Sequence, residues 1–370
     1  MSDKNPLARL ADYGQSVWYD NIHRQLLEDG TLERLIREDD LRGLTSNPSI
    51  FEKAVTGGEH YDADLRALLA ERPKAAARDL FYALAIEDIR RAADHFRPVY
   101  EASGGRDGMV SLEISPDLAH EPVASVEEAI ALHQRVDRPN LMIKVPATPE
   151  GLPVIEALIS QGIHVNATLL FSVDRYLATA EAFINGLKAR QKRGLPVSGI
   201  HSVASFFVSR VDNALDPLLA DKAPELQGKM AIYNAKRAYA RYRERFAAPD
   251  FQELRAKGAA PQRLLWASTG VKNPAYRDTL YLETLIGEDT VTTVPPATYE
   301  AFRDHGRVAP TLTQGLDEAE EQWRRLETLG IDTRAILDTL ERDGVAAFEK
   351  SFANLLSAIE NKAEHIVRAA

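Results

Sequence analysis

The stretch LMIKVPATPEGLPVIEALISQGIHVNATLLF (141–171) contains two β-rich runs with one helical pattern between them. The runs LMIKVPA (141–147) and HVNATLLF (164–171) are rich in β-branched and large apolar residues, which predicts two strands. Between them, GLPVIEALISQG (151–162) predicts a helix. Two strands joined by a helix form a βαβ unit with parallel strands and a right-handed crossover. The stretch therefore indicates an α/β protein.

The same alternation continues along the rest of the chain. Six further runs predict strands: QSVWYD (15–20), LRGLTSN (41–47), MVSLEIS (109–115), SVASFFV (202–208), RLLWAST (263–269) and TVTTVP (290–295). Helical patterns separate the predicted strands, among them residues 21–38, 125–136, 173–194 and 211–223. Eight strand–helix units favour a closed (β/α)8 TIM barrel over an open doubly wound sheet.

Two sections make the chain longer than a minimal barrel of ~250 residues. Residues 52–106 predict several helices between the second and third strands, and a second helical section follows Pro310. In that second section, large apolar residues recur at helical spacing: Phe348, Phe352, Leu355, Leu356 and Ile359. Such an apolar face must pack against another part of the protein. Because no repeat or linker interrupts the chain, we expect one domain over residues 1–370.

Composition excludes several classes of function. The net charge of −10 argues against a nucleic-acid binder, because no basic surplus is present to neutralise phosphates. The absence of cysteine excludes disulfides, thiolate metal sites and cysteine nucleophiles. The N-terminal segment does not resemble a signal peptide, and no run approaches the ~20 apolar residues of a membrane span. We therefore expect a cytoplasmic protein that binds neither nucleic acid nor membrane.

Cofactor motifs are also missing from the sequence. The nine histidines are scattered without the spacing of a metal site. Neither of the glycine-rich nucleotide motifs occurs, and GGRDG (104–108) is interpreted as a loop before the third strand. We therefore expect no metal site and none of the usual nucleotide sites.

Lys144 interrupts an otherwise apolar predicted strand. Either its amine reaches solvent from the strand end, or the protein holds an amine in a dry place. Lysines are rarely buried without a partner or a purpose, which favours the second interpretation. Burial disfavours the charged form of an amine, and a neutral amine can form a Schiff base with a carbonyl substrate.

Polar residues accompany Lys144 at the carboxyl ends of the predicted strands, where barrel active sites form. They are Asp20, Thr45, Asn47, Glu113, Asn166, Thr168, Ser205, and either Ser268 or Thr269. Structural roles are open for several of them. Asp20 is suited to a helix N-cap, Asn47 before Pro48 is typical of a turn, and Ser205 could fill the barrel. Glu113 could simply pair with Lys144 across neighbouring strands.

Four motifs in order resemble the transaldolase family, whose members form a Schiff base and belong to the pentose phosphate pathway. The motifs are GLTSNPSIFEKAV (43–55), LMIKVPATPEG (141–151), GIHVNATLLFS (162–172) and SFFVSRVD (205–212). The likeness extends from about residue 7 through the C-terminal helices. Length and the opening GQSVWYDNIHR (14–24) are most similar to the longer bacterial branch of the family.

The resemblance implies four catalytic residues. Lys144 matches the Schiff-base lysine, and Asp20 matches the acid/base that takes the proton of the C4 hydroxyl during C3–C4 cleavage. Glu113 matches the carboxylate that handles protons through a water during carbinolamine dehydration. Thr168 matches the hydroxyl that assists Glu113.

It also implies a set of substrate-binding residues: Thr45, Asn47, Asn166, Ser205, Phe207, Arg210 and Lys272. Asn47 and Asn166 match residues that hydrogen-bond the dihydroxyacetone portion, and Arg210 matches a phosphate-binding group. Many relatives carry an arginine after the seventh strand, where this chain reads STGVKNP (268–274); Lys272 would replace it without bidentate geometry. Phe207 falls at a position where a phenylalanine makes the chain similar to the transferases of the family. A tyrosine there would make it similar to plain aldolases.

The activity implied is reversible transfer of a dihydroxyacetone unit from sedoheptulose 7-phosphate to glyceraldehyde 3-phosphate, without a cofactor. An alternative is a class I fructose-6-phosphate aldolase that releases dihydroxyacetone to water. A third is a silent barrel used for binding, which would lack the lysine or the acid pair. Sugar phosphates are the partners expected, and the sequence leaves monomer and homodimer open.

Overall fold

The computed structural model describes residues 4–369, so residues 1–3 and 370 of the predicted domain lie outside the described residues. Eight parallel strands close into a barrel in chain order, and the first strand pairs with the last. The strands are β1 Gln15–Tyr19, β2 Gly43–Leu44, β3 Met109–Glu113, β4 Leu141–Pro146, β5 His164–Leu170, β6 Ser202–Phe207, β7 Arg263–Ala267 and β8 Thr290–Val294. Each strand lies within its predicted run, and the predicted (β/α)8 TIM barrel is confirmed.

The strands are apolar because both faces of the barrel wall are covered. Every residue of β4 is buried, Lys144 included, and the same holds for every residue of β5 and β6. Side chains fill the barrel interior, and helices cover the outer face. Polar residues inside these strands therefore need a local reason.

Helices of two kinds surround the barrel: those between consecutive strands and those in the two extra sections. They are α1 Arg24–Glu28, α2 Thr31–Asp39, α3 Pro48–Thr56, α4 Asp62–Glu71, α5 Ala77–Ala102, α6 Pro122–Val136, α7 Gly151–Gln161, α8 Val173–Lys192, α9 Ser209–Leu219, α10 Met230–Ala247, α11 Pro249–Arg255, α12 Leu280–Thr284, α13 Pro296–His305, α14 Leu316–Thr328 and α15 Thr333–Ala369.

One predicted helical segment differs from the structure. Residues 21–38 form two helices, α1 and α2, because Gly30 adopts a left-handed backbone with φ +80° that an α-helix cannot contain. Residues 21–23 precede the first of them.

The two extra sections lie where they were predicted, and they pack on each other. Helices α3 to α5 lie between β2 and β3, and α15 crosses them. The Ser351 hydroxyl lies 2.7 Å from the Ser49 hydroxyl of α3, and the Phe352 ring meets Phe81 of α5 edge-on at 5.6 Å. Gly344 of α15 approaches Leu169 of β5. Helix α15 therefore runs across the carboxyl end of the barrel, and its predicted apolar face packs there.

The amino end of the barrel is closed by a buried ion pair. Arg263, at the start of β7, donates to Asp107 Oδ1 and to the Ser16 hydroxyl at 2.9 Å each, and Ser16 donates to the second Asp107 oxygen at 2.9 Å. Asp107 belongs to GGRDG (104–108), which forms the predicted loop before β3.

Within residues 4–369, no helix is both long enough and apolar enough to cross a membrane.

Candidate active site

A cavity of about 550 Å³ opens at the carboxyl end of the barrel. Nine of the eleven predicted site residues line it: Asp20, Thr45, Asn47, Lys144, Thr168, Ser205, Phe207, Arg210 and Lys272. The other two lie directly beside it. Glu113 contacts Lys144, and Asn166 contacts Ser205. The parallel strands thus bring the whole predicted set to one end of the barrel, because their carboxyl ends all face the same way.

Lys144 lies at the floor of this cavity. Its side chain is 6% exposed, and its amine lies 3.0 Å from Glu113 Oε2. The amine also donates to the Ser46 carbonyl at 3.1 Å. The amine is therefore held in a nearly dry position and does not reach solvent from the strand end.

Glu113 is the register partner of Lys144 on the neighbouring strand β3. Burial raises the pKa of Glu113 above its ordinary value, and the positive charge of Lys144 opposes that rise. Among the described residues, neither carboxylate oxygen has a well-aligned hydrogen bond, despite the short separation from the amine. Glu113 and Lys144 therefore pair across neighbouring strands, and the Glu113 oxygens can still accept a hydrogen bond from a further donor.

Asp20 follows β1 and faces the same cavity. It accepts a hydrogen bond of 2.6 Å from the Thr45 hydroxyl. Burial raises the pKa of Asp20, while this hydrogen bond and the charge of Lys144 lower it. The N-cap interpretation of Asp20 is wrong, because His23 caps α1 by accepting the Leu26 N–H at 3.1 Å.

Thr45 has a partner on its other side as well. Its hydroxyl lies 2.6 Å from that of Thr293 on β8. Because Thr45 donates to the Asp20 carboxylate, Thr293 is the donor of this second bond. Thr45, predicted to bind substrate, therefore lines the cavity and also orients Asp20.

Thr168 presents a buried hydroxyl for which the described residues offer no hydrogen-bond partner. Such a group costs roughly 1–3 kcal/mol unless a substrate or a water satisfies it. The next residue, Leu169, has a φ of +62°, which is rare for a branched side chain, and the pairing of β5 with β6 shifts between Ala167 and Leu170. This irregularity ends the regular strand just where Thr168 meets the cavity.

Asn166 lies one level below the cavity. Its amide oxygen accepts from the Ser205 hydroxyl at 2.6 Å, and its amide nitrogen donates to the Ser111 hydroxyl at 3.1 Å. Ser205 lines the cavity and so connects Asn166 to it. One amide N–H of Asn166 remains for a ligand.

Asn47 lies both in a turn before a helix and at the cavity, the two places that the sequence suggested for it. Its side-chain oxygen caps α3 by accepting the Ile50 N–H at 3.0 Å, and Pro48 occupies the first helical position. The predicted turn before Pro48 is confirmed. Because Asn47 also lines the cavity, its amide nitrogen remains as a donor.

Arg210 lies in the first turn of α9, with its guanidinium carbon 5.2 Å from the centre of the Phe207 ring. Burial lowers the pKa of Arg210 below its ordinary value. In the described part of the chain no carboxylate lies within ion-pair distance of it. A half-buried guanidinium without a carboxylate is suited to a phosphate ligand. Lys272, on the loop after β7, is exposed at the cavity rim.

Several lining residues were not predicted from the sequence. Phe348 of α15 lies with its ring centre 5.5 Å from the Lys144 amine. His23, Lys53 and His60 line the mouth on the side of α1 and α3. The helical spacing of Phe348 indicated only that it packs, since nothing in the sequence says which surface α15 covers.

Comparison with known proteins agrees with the fold. A family model described as transaldolase/fructose-6-phosphate aldolase matches residues 17–359. The chain belongs to this family. The resemblance seen in the four sequence motifs is therefore confirmed.

Individual relatives match over nearly their whole length. Transaldolase 1 of Streptomyces coelicolor is 47% identical over 358 residues, which are 95% of this chain and 93% of the relative. The transaldolase of Thiobacillus denitrificans is 47% identical over 350 residues, covering 94% of this chain and 97% of the relative. The transaldolase of Trichodesmium erythraeum is 41% identical over 376 residues, covering 98% of each chain.

Proposed function

We propose that this protein is a transaldolase, a transferase that moves a dihydroxyacetone unit between sugar phosphates through a Schiff base on Lys144. The observation that carries the proposal is the buried Lys144 amine, 3.0 Å from Glu113 and in one cavity with Asp20. The relatives named above are transaldolases, which supports transfer over aldol release. The reaction places the protein in the non-oxidative pentose phosphate pathway.

Imine formation begins when the Lys144 ammonium passes a proton to Glu113, a role suited to a carboxylate whose pKa burial has raised. The neutral amine then attacks the C2 carbonyl of the ketose phosphate, and a proton moves from the nitrogen to the carbonyl oxygen to give the carbinolamine. The carbinolamine then loses water. Glu113 returns the proton to the departing hydroxyl through a water held by Thr168, whose hydroxyl has no protein partner among the described residues.

Cleavage of the C3–C4 bond requires a base at the C4 hydroxyl. Asp20 takes that proton, the bonding electrons move into the iminium, and the enamine remains on Lys144 while the aldose phosphate leaves. The Thr45 hydrogen bond holds the Asp20 carboxylate in place for this step. Addition of the enamine to an acceptor aldehyde reverses the sequence, and Asp20 returns the proton to the new hydroxyl.

Substrate phosphate binds where Arg210 and Lys272 line the cavity. Arg210 provides the charge-assisted contact, and Lys272 adds a weaker one from the exposed rim. Asn47, Asn166 and Ser205 hydrogen-bond the dihydroxyacetone portion near Lys144. No cofactor is required in this scheme, because the protonated imine accepts the electrons.

A borohydride trap tests the proposal. Fructose 6-phosphate and borohydride should leave a reduced adduct on Lys144, located by peptide mass spectrometry. Lys236 is a matched control, because it is also buried but lies outside the cavity and donates to the Gln314 carbonyl. Lys144→Met should abolish the adduct, and Lys236→Met should keep it. An adduct on another lysine, or none in the wild type, contradicts the proposed chemistry.

The aldolase alternative is tested in the same preparation. An aldolase releases dihydroxyacetone from fructose 6-phosphate at full rate without an acceptor, whereas a transaldolase turns over only when an acceptor aldehyde is added. A cytoplasmic location stays a prediction, which cell fractionation would check. The single domain over residues 1–370 stays a prediction that limited proteolysis would check.

A further inference from the structure

Phe348 forms the wall of the cavity above Lys144. Its ring centre lies 5.5 Å from the lysine amine, and the residue is 4% exposed. It comes from α15, outside the barrel and outside the four sequence motifs. Glu113 and the Ser46 carbonyl occupy two sides of the amine, and the Phe348 ring covers a third.

Helix α15 is held in this position on both sides of Phe348. One turn earlier, a Cβ added to Gly344 would lie 3.0 Å from a Leu169 methyl and 3.5 Å from Arg210 Nη1, so only a glycine allows this closeness without a shift. Before that, Glu341 pairs with Arg175 of α8 at 3.1 Å. On the other side, Ser351 contacts Ser49 of α3.

An apolar ring at this place affects the fate of the intermediate on Lys144. The enamine can add to an aldehyde, or its C3 can take up a proton to give the iminium. In the second case water adds to C2, the C2–N bond breaks, and dihydroxyacetone and the free lysine amine result. Both outcomes end with the addition of water to C2, so the step that separates them is the protonation of C3. A water beside the intermediate can supply that proton, and Phe348 covers this side of the lysine amine.

We propose that Phe348 keeps water away from the enamine on Lys144, so that C3 is not protonated and the three-carbon unit is transferred and not released. The role rests on the proposed Schiff-base function and adds a specificity-determining residue to it. Phe207 forms a separate wall from β6, where it packs against Phe171 at 5.1 Å. The two phenylalanines thus line the cavity from different parts of the chain.

The measurement is the ratio of two rates for each variant. One is the release of dihydroxyacetone from fructose 6-phosphate without an acceptor, and the other is transfer to erythrose 4-phosphate. Phe348→Ala should raise the ratio of release to transfer by roughly tenfold or more, since each tenfold is a small change in relative barrier height. Phe348→Leu keeps apolar volume over the amine, so its ratio of release to transfer should stay close to that of the wild type.

Ile359→Ala is the control for a general loosening of α15. Ile359 is fully buried on the same helix but does not line the cavity, so its variant should lose stability and keep the wild-type ratio. If Phe348→Ala does not fold, Phe348→Val provides a milder truncation that should raise the ratio part of the way. An unchanged ratio in a folded truncation variant, or an equal rise in Ile359→Ala, overturns the inference.

Failure of this inference differs from failure of the proposed function. If the wild type forms no borohydride adduct on Lys144, the Schiff-base function fails. If the adduct forms and the ratio does not respond to Phe348, only the role of Phe348 fails.

Discussion

The Lys144 amine and the Glu113 carboxylate lie 3.0 Å apart, on register partners of strands β4 and β3. Both side chains are almost fully buried, so neither charge can be hydrated when the other is removed. In the proposed mechanism this separation serves proton exchange between the two groups, and the burial of both makes them interdependent for stability.

Removal of Glu113 alone should destabilise the protein. Glu113→Leu leaves a buried charge without its partner and should lower the free energy of unfolding by about 3–5 kcal/mol. Adding Lys144→Met removes the remaining charge, so the double variant should be more stable than Glu113→Leu alone. Denaturation in urea measures the free energy of unfolding of Glu113→Leu, of Lys144→Met and of the double variant. A double variant that loses the sum of the two single losses would show that the charges are independent.

Thr45 should set the acid limit of activity. Asp20 must be ionised to accept the C4 hydroxyl proton, and the Thr45 hydrogen bond lowers a pKa that burial raises. Without that bond the pKa of Asp20 rises, so Thr45→Val should move the acid limb of the kcat/KM profile to higher pH. A hydrogen bond to a charged group contributes roughly 1.5–3 kcal/mol, which corresponds to a shift of about one pH unit or more.

Thr293→Val is the matched control for that experiment. It removes the partner of Thr45 but leaves the bond from Thr45 to Asp20, so its acid limb should move less. An acid limb that stays in place in Thr45→Val contradicts the role assigned to the pair.

Arg210 should determine the preference for phosphorylated donors. Arg210→Met removes a charge-assisted contact in a half-buried place and should raise the KM for fructose 6-phosphate by roughly 10- to 100-fold. The KM for unphosphorylated fructose should change little. Lys272→Ala, at the exposed rim, should raise the KM for fructose 6-phosphate by no more than about fivefold. If Arg210→Met raised the KM values for fructose 6-phosphate and for fructose equally, the substrate phosphate would not bind at Arg210.

His164 should make stability fall in acid. Burial lowers the pKa of His164 from an ordinary 6.5 to about 3. Nδ1 of its neutral ring accepts a hydrogen bond of 3.1 Å from the backbone N–H of His201. Below pH 6.5 the unfolded chain binds a proton there that the folded chain does not, so the unfolding free energy decreases toward pH 3. The contribution is about 1.4 kcal/mol per pH unit in this window.

Replacement of the histidine isolates that contribution. Denaturant titrations between pH 7 and pH 4 should show a shallower decline for His164→Asn than for the wild type. His365→Asn, on the exposed end of α15, should decline as steeply as the wild type. Parallel curves for all three proteins would contradict the assignment.

The barrel and most of the cavity could be predicted from the sequence, because strand runs and polar strand ends are local features. Lys144 interrupts an apolar run, and because both faces of a barrel strand are covered, a buried amine is favoured over one that reaches solvent. The partner of Asp20 could not be predicted, because the choice between a helix cap and a cavity position depends on where α1 begins. His23 takes the cap instead, three residues later.

The position of α15 could not be predicted for a similar reason. An amphipathic pattern shows that Phe348 packs but not against what. The contacts that position α15, Gly344 with Leu169 and Glu341 with Arg175, join residues more than 160 positions apart in the chain. The same holds for Thr293, whose bond to Thr45 joins two strands that are distant in sequence. Such contacts follow only from the closed geometry.

Strand β3 is attached by a buried carboxylate near each of its ends. Asp107 precedes it and binds Arg263, and Glu113 ends it and binds Lys144. If β3 slid along its neighbours during folding, both carboxylates would lose their cations at once. Each misregistered form would therefore leave two buried carboxylates without their cations. The Glu113 carboxylate beside the Lys144 amine thus also contributes to the fidelity of barrel closure.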